Sequence, residues 1–188
     1  MTPAHPADPA HPADPAHPAG PAHPADPAHP AGSVREIDIS PELEALAALA
    51  PVHYRESFTV AIDSAAPSAE TAERWARRVL ERAPWTARAQ MLTAWTLLGI
   101  PLAPPWSRSQ VLGWRILYSA PTAIVLESRA AAGVTARLVF HVSETQLTQA
   151  MLVRYNHPPG RYIWTRLAPK HRSFIKALLT RAGRISPA

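Results

Sequence analysis

Between Val111 and Tyr155 the apolar residues of this chain fall at alternate positions, and from Gly160 to about Ala182 they fall three and four apart. The first period belongs to strands with one buried face, the second to an amphipathic helix. Strands are predicted at Val111–Tyr118, Ala123–Arg129, Val134–Val142 and Leu147–Tyr155, with a turn at Ala131–Gly133 and links short enough for antiparallel hairpins. Trp114, Ile116, Ile124, Leu126, Leu138, Phe140, Met151, Val153 and Tyr155 share one face. Arg115, Glu127, Arg129, Arg137, His141 and Arg154 share the other, so one side is expected on a core and the other in water. The helix offers the stripe Trp164, Leu167, His171, Phe174, Ile175, Leu178 and Ala182, and Pro169 inside it is expected to kink it.

Upstream, Ser40-Pro41-Glu42 reads as a helix start, a capping residue followed by proline at the first helical position, and the short helix closes by Pro51. Val52–Ile62 is rich in β-branched and aromatic residues and reads as a first strand. A helix capped by Ser68 runs to about Arg82, burying Ala72, Trp75, Ala76, Val79, Leu80 and Ala83. Another runs from Trp85 to Leu98 with the stripe Trp85, Ala89, Leu92, Trp95 and Leu98, and Gly99 stops it. The expected class is therefore α+β: five strands in a twisted antiparallel sheet that wraps the long C-terminal helix, with two further helices inserted after the first strand.

All of this lies after residue 32. Residues 1–32 hold 10 of the 22 prolines and 5 of the 9 histidines, and no Val, Ile, Leu, Phe, Tyr or Trp. They repeat the hexapeptide PAHPAD, with Gly20 and Gly32 in place of Asp. Proline at every third position favours polyproline II, which sets His5, Asp8, His11 and their successors along one edge about 9 Å apart. That spacing is too wide for two neighbours to grip one metal ion. The expected division is a disordered repeat tail at 1–32 and a single domain at 33–188.

The chain has no cysteine, which excludes a disulfide framework, a thiolate metal site and a cysteine nucleophile. The tail carries three Asp and no Lys or Arg, so the domain holds all 19 basic residues against 11 acids. A basic surface admits nucleic acid or anionic lipid as partners, although 17 Arg against 2 Lys also fits the codon bias of a GC-rich genome. Met1–Gly32 lacks the basic start, apolar stretch and cleavage site of a secretory signal, and the uncharged run Ala89–Ser107 is broken by Gly99, Pro101, Pro104 and Pro105. A cytoplasmic location is expected.

Several residues are candidates for chemistry. His171 interrupts an apolar helix stripe and should point at the sheet, either as a core histidine bonded within the fold or as a hydrogen-bond partner or general acid/base for a ligand. Glu127 and His141 share a sheet face and could meet across strands as an acid/base pair or, more ordinarily, as a surface ionic pair. After Glu144 the chain has no acid, while Arg154, Arg161, Arg166, Lys170, Arg172, Lys176, Arg181 and Arg184 form a candidate polyanion face. Arg181 and Arg184 are equally explained by the dipole of the helix end. Trp75, Trp85, Trp95, Trp114 and Trp164 fall on expected buried faces, as a pocket wall or as ordinary packing, and Trp106 could cover a pocket mouth. His53, His141, His157 and His171 are scattered, so no metal site is expected, and no cofactor motif is present.

The closing stretch RYNHPPGRYIWTRLAPKHRSFIKALLTRAG, with Val153-Arg154-Tyr155, Gly160-Arg161-Tyr162 and Pro169-Lys170-His171-Arg172, resembles the bacterial family known as domain of unknown function 2867. Tyr54-Arg55-Glu56-Ser57-Phe58 and the Trp75 and Trp85 helices are similar to it as well, so the resemblance covers about residues 50–183. That family looks like a branch of the START/polyketide-cyclase (SRPBCC) helix-grip superfamily. The resemblance implies a cavity between sheet and last helix that takes lipids or other apolar small molecules, and it transfers no catalytic residue. The expected ligand wall is Trp114, Ile116, Leu126, Phe140, Met151, Tyr155, Trp164, His171 and Phe174, around a space of ~300–1,000 Å³. The expected partner is a small apolar molecule. Alternatives are an enzyme of cyclase, isomerase or hydrolase type using His171, and a basic module touching an anionic membrane peripherally or, less readily, nucleic acid. Oligomeric state is not written in the sequence.

Overall fold

The computed structural model describes residues 32–62, 71–101 and 107–184. The expected tail, Ser68 and Trp106 lie outside these, apart from Gly32, whose amide donates to the Ala61 carbonyl at 3.2 Å.

The described elements run β1 (Val34–Glu36), α1 (Pro41–Ala47), β2 (Tyr54–Ala61), α2 (Ala72–Leu80), α3 (Trp85–Leu97), β3 (Gln110–Val111), β4 (Trp114–Ser119), β5 (Ala123–Ala130), β6 (Val134–Val142), β7 (Gln146–Tyr155) and α4 (Pro158–Arg184). The strands form one antiparallel sheet in the order β1-β2-β7-β6-β5-β4-β3. The long α4 packs on β1, β2, β7 and β6, and α2 packs against β5, β6 and α4. A curved antiparallel sheet closed over a C-terminal helix is the helix-grip architecture.

Seven strands stand where the sequence suggested five. The stretch expected as one strand at Val111–Tyr118 is a hairpin: Leu112 and Gly113 both take positive φ, +45° and +87°, as a two-residue turn requires, and Val111 then faces Trp114. The other addition is β1, three residues at the sheet edge, too short to show a period.

Local chemistry sets the helix ends. Ser40 Oγ accepts from the Leu43 amide at 3.3 Å, Pro41 opens α1, and Ala48 closes it in the left-handed region. Thr71 caps α2, and Trp75, Ala76, Val79 and Leu80 are buried as their spacing requires. The expected stripe of α3 holds only in part: Trp95 and Leu98 turn inward, but Ala89 is exposed and Trp85 is 78% exposed, and Ala87, Met91 and Ala94 complete the inner face. Gly99, at φ +67°, ends α3 against the β5–β6 turn, where the carbonyls of Leu98 and Gly99 accept from Ala132 and Ala131. Helix α4 runs on through Pro169, and at its start Gly160 sits so close to the Gly133 carbonyl that no Cβ would fit.

The back of the sheet also departs from expectation. Rather than lying wholly in water, it carries a second small core in which Val125, Val139, Ala150 and Leu152 pack against Ala47 and Leu49 at the end of α1. Glu127 is buried there. It accepts from Arg129 Nε at 2.8 Å and from Arg137 Nε and Nη2 at 3.0 and 2.9 Å, while Arg137 Nη1 reaches the Ala47 and Ala48 carbonyls. Arg137 thus caps α1 and fastens it to the sheet. The main core lies on the opposite, α4-facing side, around Phe58, Val60, Ile124, Leu126, Phe140, Leu147 and Leu179.

Candidate functional site: a cavity between sheet and C-terminal helix

A cavity of about 200 Å³ opens between the sheet, α3 and α4. Trp114, Ser128, Ala130, Val134, Ala136, Leu138 and Met151 supply its sheet side, and Leu80 of α2 joins them. Gln90, Met91, Ala94, Trp95 and Leu98 come from α3, with Ile100 just beyond it, and Ile163, Trp164, Leu167, Lys170, His171, Phe174 and Ile175 come from α4. Nearly all of this wall is hydrocarbon. The volume is below the ~300–1,000 Å³ expected and exceeds the ~150 Å³ of an engineered cavity that takes benzene. It suits a compact molecule of one or two rings better than a long acyl chain.

Of the nine residues expected in the wall, Trp114, Met151, Trp164, His171 and Phe174 are there. The other four stand outside it. Leu126 and Phe140 are fully buried in the main core, Ile116 packs on its edge, and the Tyr155 ring stacks on His53 at 5.1 Å. All four belong to the α4-facing side of the sheet, but α2 and α4 already cover the positions farther from α3, so only part of that side borders open space.

The polar end of the cavity is built on β2 and α4. Alternation along β2 places Tyr54, Glu56, Phe58 and Val60 on the core side, and Glu56 is the one charged residue among them. Its side chain is fully buried. Tyr54 Oη donates to Glu56 Oε2 at 2.5 Å, and His171 Nδ1 lies 2.7 Å from Glu56 Oε1, a close contact without the alignment of a regular hydrogen bond. Trp164 leans on the His171 ring at 5.4 Å and meets Tyr54 edge-on at 5.6 Å. Burial and then the bond to Glu56 push the Tyr54 phenol well above its ordinary range, against an opposing pull from Arg172. Arg172 pairs with Glu36 of β1, as does Lys176, so the edge strand and α4 are tied together beside the site. The hydrogen bond from Arg172 holds the Glu36 carboxyl below the usual range.

Sequence reasoning found His171 and missed Tyr54 and Glu56. The signal was present: an acid on the apolar side of a strand is as conspicuous as a histidine in an apolar helix stripe.

Glu127 and His141 do not meet. Cross-strand register sets Arg137 opposite Glu127 and Ala123 opposite His141, so the carboxylate goes to guanidinium groups. Burial raises the Glu127 pKa, but the bonds from Arg137 and Arg129 outweigh it and leave the carboxyl below its ordinary range. The basic residues of the C-terminal segment divide. Arg154 bonds Asn156 and the Ala50 carbonyl, Arg166 covers the Tyr162 ring, Arg172 and Lys176 hold Glu36, and Lys170 stands at the cavity. Among the described residues no three His, Asp or Glu side chains cluster as metal ligands, and no helix is long and apolar enough to cross a membrane.

No family model and no curated protein matches this chain. Among solved structures it is similar to the di-domain ARO/CYC BexL from the BE-7585A biosynthetic pathway. Identity is 13%, with 71% of this chain and 51% of that chain covered and a TM-score of 0.36. The chain thus spans about half the length of that structure, and a likeness of this degree says nothing about chemistry.

Proposed function

We propose that this is a cytoplasmic small-molecule-binding domain that holds a compact apolar ligand between its sheet and α4. The observation that carries the reading is the hydrocarbon-walled cavity of about 200 Å³, lined by the sheet and by residues of α2, α3 and α4. Burying apolar surface is favourable by ~25 cal/mol per Å², so a ring that fills such a space binds without any directed contact. Kinship with the domain of unknown function 2867 is part of this proposal and rests on the C-terminal stretch quoted above. Naphthalene should bind the purified domain, as seen by saturation-transfer NMR. Ala136→Phe, which places a ring into the space from β6, should abolish binding while circular dichroism stays unchanged. Equal binding by the filled variant would overturn the reading.

One observation favours a second reading, in which the domain also acts on its ligand. Glu56 Oε1 lies 2.7 Å from His171 Nδ1 beside the cavity, which sets a carboxylate next to an imidazole as acid/base chemistry requires.

A further inference from the structure

The wall of the cavity is not chemically neutral. It carries several hydrogen-bond donors that have no partner in the protein. Trp114 Nε1, Trp164 Nε1 and Ser128 Oγ are buried without a hydrogen bond, in side chains that line the space. Arg115 pairs with Glu127 across β4 and β5, which sets Trp114 and Ser128 on neighbouring positions of the same sheet face. On the helix side Trp164 lies against His171, and Lys170 adds an ammonium. With Nδ1 of His171 turned to Glu56, Nε2 is the nitrogen left for a ligand.

A buried N–H or O–H left unbonded is costly, and only an acceptor restores that loss. No acidic side chain is in the wall: Glu56, the nearby carboxylate, is already engaged by Tyr54 and His171. Nor does α4 itself contain an acid. An amine or other donor-bearing ligand would therefore meet donors and positive charge, whereas an acceptor-only anion would meet what each of these groups lacks.

We infer that the ligand of this cavity is an apolar carboxylate: a small ring system whose acid group is received by the donors of α4 and of the Trp114–Ser128 pair. This deepens the binding reading given above and rests on it. Desolvating a carboxylate is costly, so the donors must first offset that cost, and the net preference for the acid is moderate even though charge-assisted bonds are about twice as strong as neutral ones.

The test compares four probes of one shape, namely 2-naphthoate, methyl 2-naphthoate, 2-methylnaphthalene and 2-naphthylmethylamine, by titration calorimetry at low salt with the full chain. The acid should bind about tenfold more tightly than the ester, and the protonated amine most weakly. Lys170→Met and Ser128→Ala should each reduce the acid-to-ester ratio several-fold. Acid and ester binding equally in the wild type, the amine binding best, or a ratio that survives both substitutions would each overturn the inference. If instead 2-methylnaphthalene itself fails to bind, the cavity reading fails first, so the two failures are distinguishable.

Discussion

Replacing Glu56 with Leu separates a stabilising network from one retained for another purpose. The carboxylate is wholly enclosed and holds two partners, the Tyr54 hydroxyl at 2.5 Å and His171 Nδ1 at 2.7 Å. Leucine leaves the Tyr54 hydroxyl without its acceptor and His171 Nδ1 without its carboxylate neighbour. Each orphaned group costs ~1–3 kcal/mol when dry, and because Tyr54 is half-buried and the His171 side chain is 22% exposed, the lower end applies. The expected loss is about 2 kcal/mol, or roughly 4–8 °C in Tm for a domain of this size. The triple replacement Tyr54→Phe, Glu56→Leu, His171→Phe removes donors and acceptor together. It also removes the desolvation penalty of a buried charge, so it should regain the loss and match or exceed the wild type. Urea unfolding at pH 7, with m held constant across the set, measures both changes. In Glu56→Gln the Tyr54 phenol should ionise at lower pH than in the wild type, since one of the two causes that raise it is weakened, and absorbance near 295 nm in an alkaline titration follows this. A triple variant as unstable as the single one, or a single variant within about 0.5 kcal/mol of wild type, would refute the reasoning, because surface substitutions of no consequence fall in that range.

Two other outcomes are expected. Glu127→Gln weakens the bonds to Arg129 and Arg137 behind the sheet, costing about 1–3 kcal/mol at pH 7. Because the folded state depresses the Glu127 pKa, its contribution is complete above the ordinary carboxylate range near ~4 and is lost as pH falls through the folded value. Wild type and variant should therefore converge in acid unfolding, and a constant gap down to low pH would contradict this account. If His171 moves protons, the domain should accelerate exchange of the α-hydrogens of 2-tetralone in D2O, as read by NMR, and His171→Gln should abolish it. Equal exchange in both would remove the acid/base reading.

Much of the fold was legible because its main signals are periodic. The alternation of Val134–Val142 and the three-and-four spacing of α4 each admit one arrangement, and the observed elements follow them. The bounds of α3 were legible but its inner face only in part, for a physical reason. Its sequence WTARAQMLTAWTL spreads apolar residues around the helix, so Trp85, Ala89 and Leu92 compete with Ala87, Met91 and Ala94 to join Trp95 and Leu98 on the inner face, and only packing chooses between them. The hairpin at Leu112–Gly113 was hidden because Leu112, Trp114 and Ile116 alternate as residues of one strand would, although a glycine inside a strand was the available warning. The covered back of the sheet was signalled by unbroken apolar runs such as Ile124-Val125-Leu126 and Met151-Leu152-Val153, the mark of strands buried on both sides. At the site, His171 stood out within its own helix. Glu56 became significant only when β2 was set beside α4, a relation between segments far apart in the chain.

That separation shapes how the molecule comes into being. Ser57 and Gln149 bond across the β2–β7 ladder although 92 residues divide them, and the strand order leaves β2 with only the three-residue β1 at its side until β7 is made. During synthesis β2 waits as an open edge, Phe58 and Val60 uncovered, while the meander is still emerging. Such long loop closures make folding slow, and here the cavity acquires its α4 wall only with the last described helix. A nascent chain stalled before α4 would carry all seven described strands and still leave the cavity without its helical wall.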